Sequence, residues 1–178
     1  MSAALTSKEI LLALKRHHGL FRSWPMNAEP WAFIEELQIG TAWQCLSRID
    51  ALAVKTGRST HKLPNGQIVT NERIAYEVKV SRSDLIRELK NPWKRQAALS
   101  VAHRWVLATP PGLVRDGELP EGAGLVEVHP RGVRWIAQGE LTACESPEYF
   151  VASIARRATR MCGNKDKSRG HFRAERLP

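Results

Sequence analysis

Residues 73–84 read Arg73-Ile74-Ala75-Tyr76-Glu77-Val78-Lys79-Val80-Ser81-Arg82-Ser83-Asp84, and the folding of this run decides how its surroundings are arranged. Its first eight residues alternate. Ile74, Tyr76, Val78 and Val80 would face a core, while Arg73, Ala75, Glu77 and Lys79 would face the other way, toward chemistry or solvent. That is the period of a strand, and it sets a carboxylate and an ammonium on one face, about 6.5–7 Å apart. Burying two such charges costs several kcal/mol unless they are paired or used. From Ser81 the period becomes helical, with Ser81 or Ser83 as N-cap and Leu85, Ile86 and Leu89 buried.

Downstream, Asn91-Pro92 closes this helix and opens a second, short and basic one, because Asn caps well and Pro suits the first helical position. A strand follows from Arg104 and stops at Pro110-Pro111-Gly112. Residues 124–128 (GLVEV) and 133–137 (VRWIA), joined through His129-Pro130-Arg131-Gly132, form an antiparallel hairpin. Ser146-Pro147-Glu148 opens a closing helix to about Arg160, with Phe150, Val151, Ile154, Ala155 and Ala158 toward the core.

Upstream, residues 55–71 are rich in turn formers and read as a protruding hairpin or loop around Asn65-Gly66. Residues 31–40 and 47–54 read as strands. In the first of these, Trp31, Phe33, Glu35 and Leu37 share one face and Ala32, Ile34, Glu36 and Gln38 the other. The chain starts with an amphipathic helix capped by Ser7, with Ile10, Leu11 and Leu14 on its apolar stripe. The expected order is helix, three strands, helix, strand, hairpin and closing helix. It makes an α/β (α+β) fold with a central mixed sheet of about four to six strands flanked by helices.

A chain of 178 residues is the size of one ordinary domain, read here as residues 1–162 followed by a basic, disordered tail over 163–178. Cys45, Cys144 and Cys162 are odd in number and lack any CxxC, which speaks against a disulfide framework or a zinc ribbon. The N-terminal apolar run is interrupted by Lys8, Glu9, Lys15 and Arg16, too soon for a signal peptide or a membrane span, so a cytoplasmic location is expected. The net charge of +9 favours a polyanionic partner such as DNA or RNA. No P-loop, GxGxxG or GxSxG occurs, which leaves nucleotide-driven motors and serine hydrolases unsupported, and the six histidines show no zinc-ligand spacing.

Asp50 falls in the middle of the strand that precedes the hairpin loop. If that strand neighbours the one bearing Glu77, the two carboxylates come together, and hard oxygen ligands of this kind suit Mg²⁺ or Mn²⁺. Such an ion activates water and neutralises phosphate charge, while Lys79 would steady the transition state of phosphodiester hydrolysis. The plainer alternative is an exposed Glu77–Lys79 ion pair worth under about 1 kcal/mol.

Asp50, then Glu77-x-Lys79, then a helix resembles the signature of the PD-(D/E)XK nucleases. The longer strings RIDALAV, YEVKVSRSDLIRELKNPWKRQ, VLATPPGLV and ELPEGAGLVEV are similar to the MmcB-like branch, bacterial and phage proteins linked to DNA repair; the resemblance spans roughly residues 30–137. It implies a restriction-endonuclease-like core, with Asp50 and Glu77 as metal ligands and Lys79 as the catalytic lysine. A further acidic residue is common in that superfamily, and Glu36 and Glu9 compete for the place. Ile49 stands where the family's naming proline would be, a position that is not a ligand.

Ser81, Asp84 and Gln96 are accessory candidates, and Arg82, Arg87, Lys90, Lys94 and Arg95 are candidates for tracking a nucleic-acid backbone. Among the six tryptophans, Trp93 beside Lys94 and Arg95 is the one placed to stack on a base. The expected function is a Mg²⁺- or Mn²⁺-dependent DNA nuclease of repair, recombination or phage DNA metabolism, with a homodimer as one route to cutting both strands. The alternative is a nuclease-like module that binds DNA or a protein without cutting.

Overall fold

The computed structural model describes residues 5–19, 31–40, 45–57 and 60–166, without the side chains of Cys45, Leu46 and residues 162–166. Readings that concern Trp24, Trp43 and the basic residues from Lys167 onward lie outside the described residues.

The elements are α1 (Ser7–His17), β1 (Trp31–Gly40), β2 (Cys45–Lys55), β3 (His61–Lys62), β4 (Ile68–Val69), β5 (Arg73–Val78), α2 (Arg82–Leu89), α3 (Pro92–Leu99), β6 (Arg104–Thr109), β7 (Gly124–His129), β8 (Gly132–Gln138) and α4 (Glu148–Asp166). Six strands form one mixed sheet in the order β1-β2-β5-β6-β7-β8. The β5–β6 and β6–β7 pairs are parallel and the others antiparallel. The small β3–β4 pair is the expected protruding hairpin, turning at Gly66 with φ 86°.

Parallel pairing of β5 with β6 requires a crossover connection, and α2 and α3 supply it. That crossover also decides the environment of β5, all six of whose residues are buried. Ile74, Tyr76 and Val78 pack with Ile10 and Leu14 of α1, as the alternation predicts. The opposite face, expected to meet solvent or chemistry alone, is covered too: Ala75 joins Leu85, Ala98 and Val101 in a second core. A strand buried on both faces is the usual fate of a central parallel strand.

Several local expectations shift by a residue. The N-cap of α1 is Thr6 rather than Ser7, because Thr6 and Glu9 form a reciprocal capping box. Thr6 Oγ1 accepts from the Glu9 N–H at 3.3 Å, and Glu9 Oε2 accepts from the Thr6 N–H at 2.8 Å. Ile86 is 41% exposed and Glu88 takes the buried place beside Leu85, since residues three apart share a helix face and adjacent ones do not. In α4, Phe150 is buried but Val151 is exposed, and the helix runs on to Asp166 instead of ending near Arg160.

The largest departure lies in β1. Phe33 packs on the α1 side, yet Ile34, Leu37 and Ile39 all belong to the opposite core, so the two-residue alternation inverts between them. The cause is Glu36, which adopts a left-handed φ of 50°. β2 inverts at the same level: Ala51 and Ala53 face α1, while Ile49 and Leu52 face the other core. Among the described residues, no helix is long and apolar enough to cross a membrane.

Candidate active site

The register of the sheet brings the acids together. β2 and β5 pair from Val54↔Arg73 to Ala51↔Tyr76, and Asp50 and Glu77 are the next residues beyond that last pair. On the other side, the pairs Glu35↔Ala51 and Leu37↔Ile49 bracket Glu36 opposite Asp50. Glu36, Asp50 and Glu77 therefore occupy one row across three strands. At this row the backbone ladder between β2 and β5 gives way, and Asp50 Oδ2 accepts the Val78 N–H at 2.9 Å. That bond orients the Asp50 carboxylate, and Ser7 and Leu11 of α1 line the same hollow as Asp50.

The result is a cleft of about 330 Å³ whose charged lining is Glu36, Asp50, Lys79, Asp84, Arg87 and Glu88. Four carboxylates face two cations there, in a chain whose net charge is +9. A locally negative hole in a basic protein suits a cation and, through that cation, a phosphate.

Behind the lining lies an ion-pair cluster. Glu77, only 3% exposed, accepts through Oε1 from Lys79 Nζ at 2.5 Å and also from Lys94 Nζ. Glu88 Oε2 accepts from the same two ammonium groups, each at 3.1 Å, while Glu88 Oε1 is buried without a hydrogen-bond partner. Burial, and next the charge of Asp50, push Glu77 up to about 7 against the pull of Lys79 and Lys94. For Lys79, burial pulls downward but Glu77 and Glu88 outweigh it, so its pKa lies above the usual value. For Glu88, burial pulls upward but Lys79 and Lys94 outweigh it, so its pKa lies below.

Two carboxylates close enough for one to raise the other are what a divalent cation relieves. Among the described residues no three His, Cys, Asp or Glu side chains gather as a ready ligand set. A cation at Asp50 and Glu77 would complete its shell with water, which matches the habit of Mg²⁺ of keeping several waters and one or two carboxylates.

No family model and no curated protein matches the chain. Among solved structures it is similar to a protein of unknown function from Silicibacter pomeroyi. The identity is 18%, the TM-score 0.55, and the match covers 97% of this chain and 100% of that one. At that identity the likeness concerns the fold alone, over nearly the whole length of both chains.

The other candidates are placed as follows. Glu36 lines the cleft but is solvent-exposed, with Arg157 Nη2 at 3.4 Å. Glu9 is engaged in the α1 capping box. Ser81 caps α2 by accepting the Asp84 N–H at 3.3 Å, and Asp84 lines the cleft paired with Arg87. Gln96 is exposed on α3. Arg82 is held by both oxygens of Glu118 at 2.6 Å and donates to the Leu113 carbonyl at 2.7 Å, so it ties α2 to the loop after β6. Arg95 lies over the Trp105 ring, 6.0 Å from its centroid. Arg87 and Lys90 are exposed, and Trp93 is 65% exposed.

Sequence reasoning missed Glu88 and gave Lys94 only a surface role. The signal for Glu88 was present: it is three residues after Leu85, a charge on the apolar stripe of its helix. Nothing local marks Lys94, because its partners come from β5 and α2.

Proposed function

We propose that the chain is a metal-dependent nuclease acting on DNA, of the PD-(D/E)XK kind that Asp50 and Glu77-x-Lys79 resemble. The observation that carries this reading is the Asp50 carboxylate held by the Val78 N–H next to Glu77, with Lys79 bonded to Glu77 and lining the same carboxylate-rich cleft as Asp50. In this reading Asp50 and Glu77 hold Mg²⁺ or Mn²⁺. Such an ion supplies Lewis acidity toward a phosphodiester oxygen and makes hydroxide available near neutral pH.

The chain's own groups do the rest. The Val78 N–H fixes Asp50, and Glu88 anchors Lys79 so that its ammonium donates hydrogen bonds where negative charge develops on the phosphate. Exposed Arg87 and Lys90 on the same side contact flanking phosphates. The setting in repair, recombination or phage DNA metabolism comes with the resemblance. Two copies would cut two strands, as relatives of that superfamily do.

The test is incubation of the purified chain with supercoiled, linear, single-stranded and branched DNA in Mg²⁺ or Mn²⁺. Cleavage is expected, abolished by chelation, and Lys79→Met should slow it on the order of 10²-fold or more. An absence of cleavage on every form with both metals would sink the reading.

A second reading has one observation in its favour: Lys79 and Lys94 already neutralise Glu77 without any metal. On that reading the protein is a nuclease-like module that binds DNA without cutting. Its mark would be salt-sensitive binding that survives both chelation and Glu77→Gln.

A further inference from the structure

We infer that Lys94 is an exchangeable cation of this site: it occupies Glu77 when no divalent ion is bound, and swings out to a substrate phosphate when an ion takes Glu77. The inference rests on the metal-dependent reading and adds to it a coupling between metal binding and nucleic-acid binding.

Lys79 and Lys94 compete for the same two acceptors. Both donate to Glu77 Oε1, and both reach Glu88 Oε2 at 3.1 Å. Their situations are unequal. The Lys79 side chain is 13% exposed and rises from the end of the central strand, whereas that of Lys94 is 29% exposed and sits in the first turn of α3, next to the open ring of Trp93.

Charge balance sets the direction of exchange. A divalent ion on Glu77 takes the oxygen to which both Lys79 and Lys94 donate and adds two positive charges beside them. Holding two ammonium groups against that ion in a cluster as buried as Glu77 and Glu88 is costly. One ammonium must then leave, and Lys94 is the less buried, on a flexible four-carbon stem that reaches solvent. Glu88 is equipped to keep Lys79: its Oε1 is buried and unpartnered, so it has a free acceptor when Glu77 turns to the metal. The departing ammonium enters the exposed basic edge that carries Lys90 and Trp93, where a phosphate strand can use it. Metal and nucleic acid then favour each other's binding, because each removes a competitor of the other.

The test uses the full chain in wild-type, Lys94→Met and Lys94→Gln forms, with folding checked by circular dichroism, and Glu77→Gln as the control. Calorimetric titration with Mn²⁺ alone should show about five-fold tighter binding in both Lys94 variants, since a cation in direct contact with the ligand is gone. Fluorescence anisotropy with a short single-stranded oligonucleotide should show that Ca²⁺ tightens binding to the wild type and does so no longer in the variants. Unchanged or weaker Mn²⁺ affinity, or a persistent Ca²⁺ gain, overturns the inference. If Mn²⁺ binding is lost in Glu77→Gln but indifferent to Lys94, the exchange alone fails. If the wild type shows no Mn²⁺ binding that depends on Glu77, the metal-dependent reading falls with it.

Discussion

Glu77→Gln should make the protein relatively more stable as the pH rises, while removing the group proposed to hold the metal. Glu77 is buried next to Asp50, and its carboxyl is pushed from an ordinary 4.5 up to about 7. A carboxyl raised on folding prefers its neutral form in the folded state. Its contribution to stability is therefore fully present below 4.5 and is lost as the pH climbs through about 7. That interval corresponds to about 3 kcal/mol in total. Between about pH 5 and about pH 8.5, most of it should disappear from the wild type.

The glutamine variant cannot ionise and keeps a similar shape and a carbonyl acceptor for Lys79 and Lys94. Groups away from Glu77 are common to both chains and largely cancel in the difference between them. The assay is urea unfolding of both proteins at the two pH values without divalent ions. The variant should gain roughly 2–3 kcal/mol on the wild type between them. Adding Mn²⁺ at the higher pH should then stabilise the wild type and leave the variant unmoved, by linkage. A difference between the proteins that is independent of pH, or that moves in favour of the wild type, would refute the account of a carboxylate strained by burial and by Asp50.

Three further expectations follow from other parts of the fold. His18 is buried with Nε2 3.0 Å from the Tyr76 hydroxyl, and burial, then the neighbouring His17, lower its pKa from 6.5 to about 4. Its contribution to stability is present above 6.5 and is lost as the pH falls toward 4, at a cost of about 3 kcal/mol that His18→Gln should largely remove from the acid limb of a thermal or urea series. Gly139 has φ 73°, and a Cβ there would lie 2.7 Å from the Gly124 backbone nitrogen. Gly139→Ala should cost about 1–3 kcal/mol in urea unfolding, and an unchanged midpoint would disprove the close approach of the two chain segments. Leu52 is fully buried in the core beneath the site, so Leu52→Ala should lower unfolding free energy by about 2–5 kcal/mol; a loss under about 1 kcal/mol would mean that this core is loosely packed.

Much of the fold was legible in local sequence because local rules govern it. Alternation in residues 73–80 reports a strand, the change of period at Ser81 reports a helix, and Asn65-Gly66 reports a turn, each without reference to distant residues. Asp50, Glu77 and Lys79 could be named for the same reason: their types and spacing are visible in the chain. What local rules could not supply was register. Glu36, Asp50 and Glu77 form a row only because β1, β2 and β5 pair as they do, and the inversion at Glu36 has no local cause, since glutamate seldom adopts a left-handed φ.

The face of β5 opposite α1 was left to chemistry or solvent because alternation tells which side chains share a face and says nothing of what covers it. The crossover through α2 and α3, together with the segment before α4 over Arg73, buries that face, and with the crossover come Glu88 and Lys94. The sequence alone thus determined which residues carry charge at the site. Tertiary structure decided their protonation and pairing, because a pKa depends on burial and on neighbours that folding brings from elsewhere in the chain.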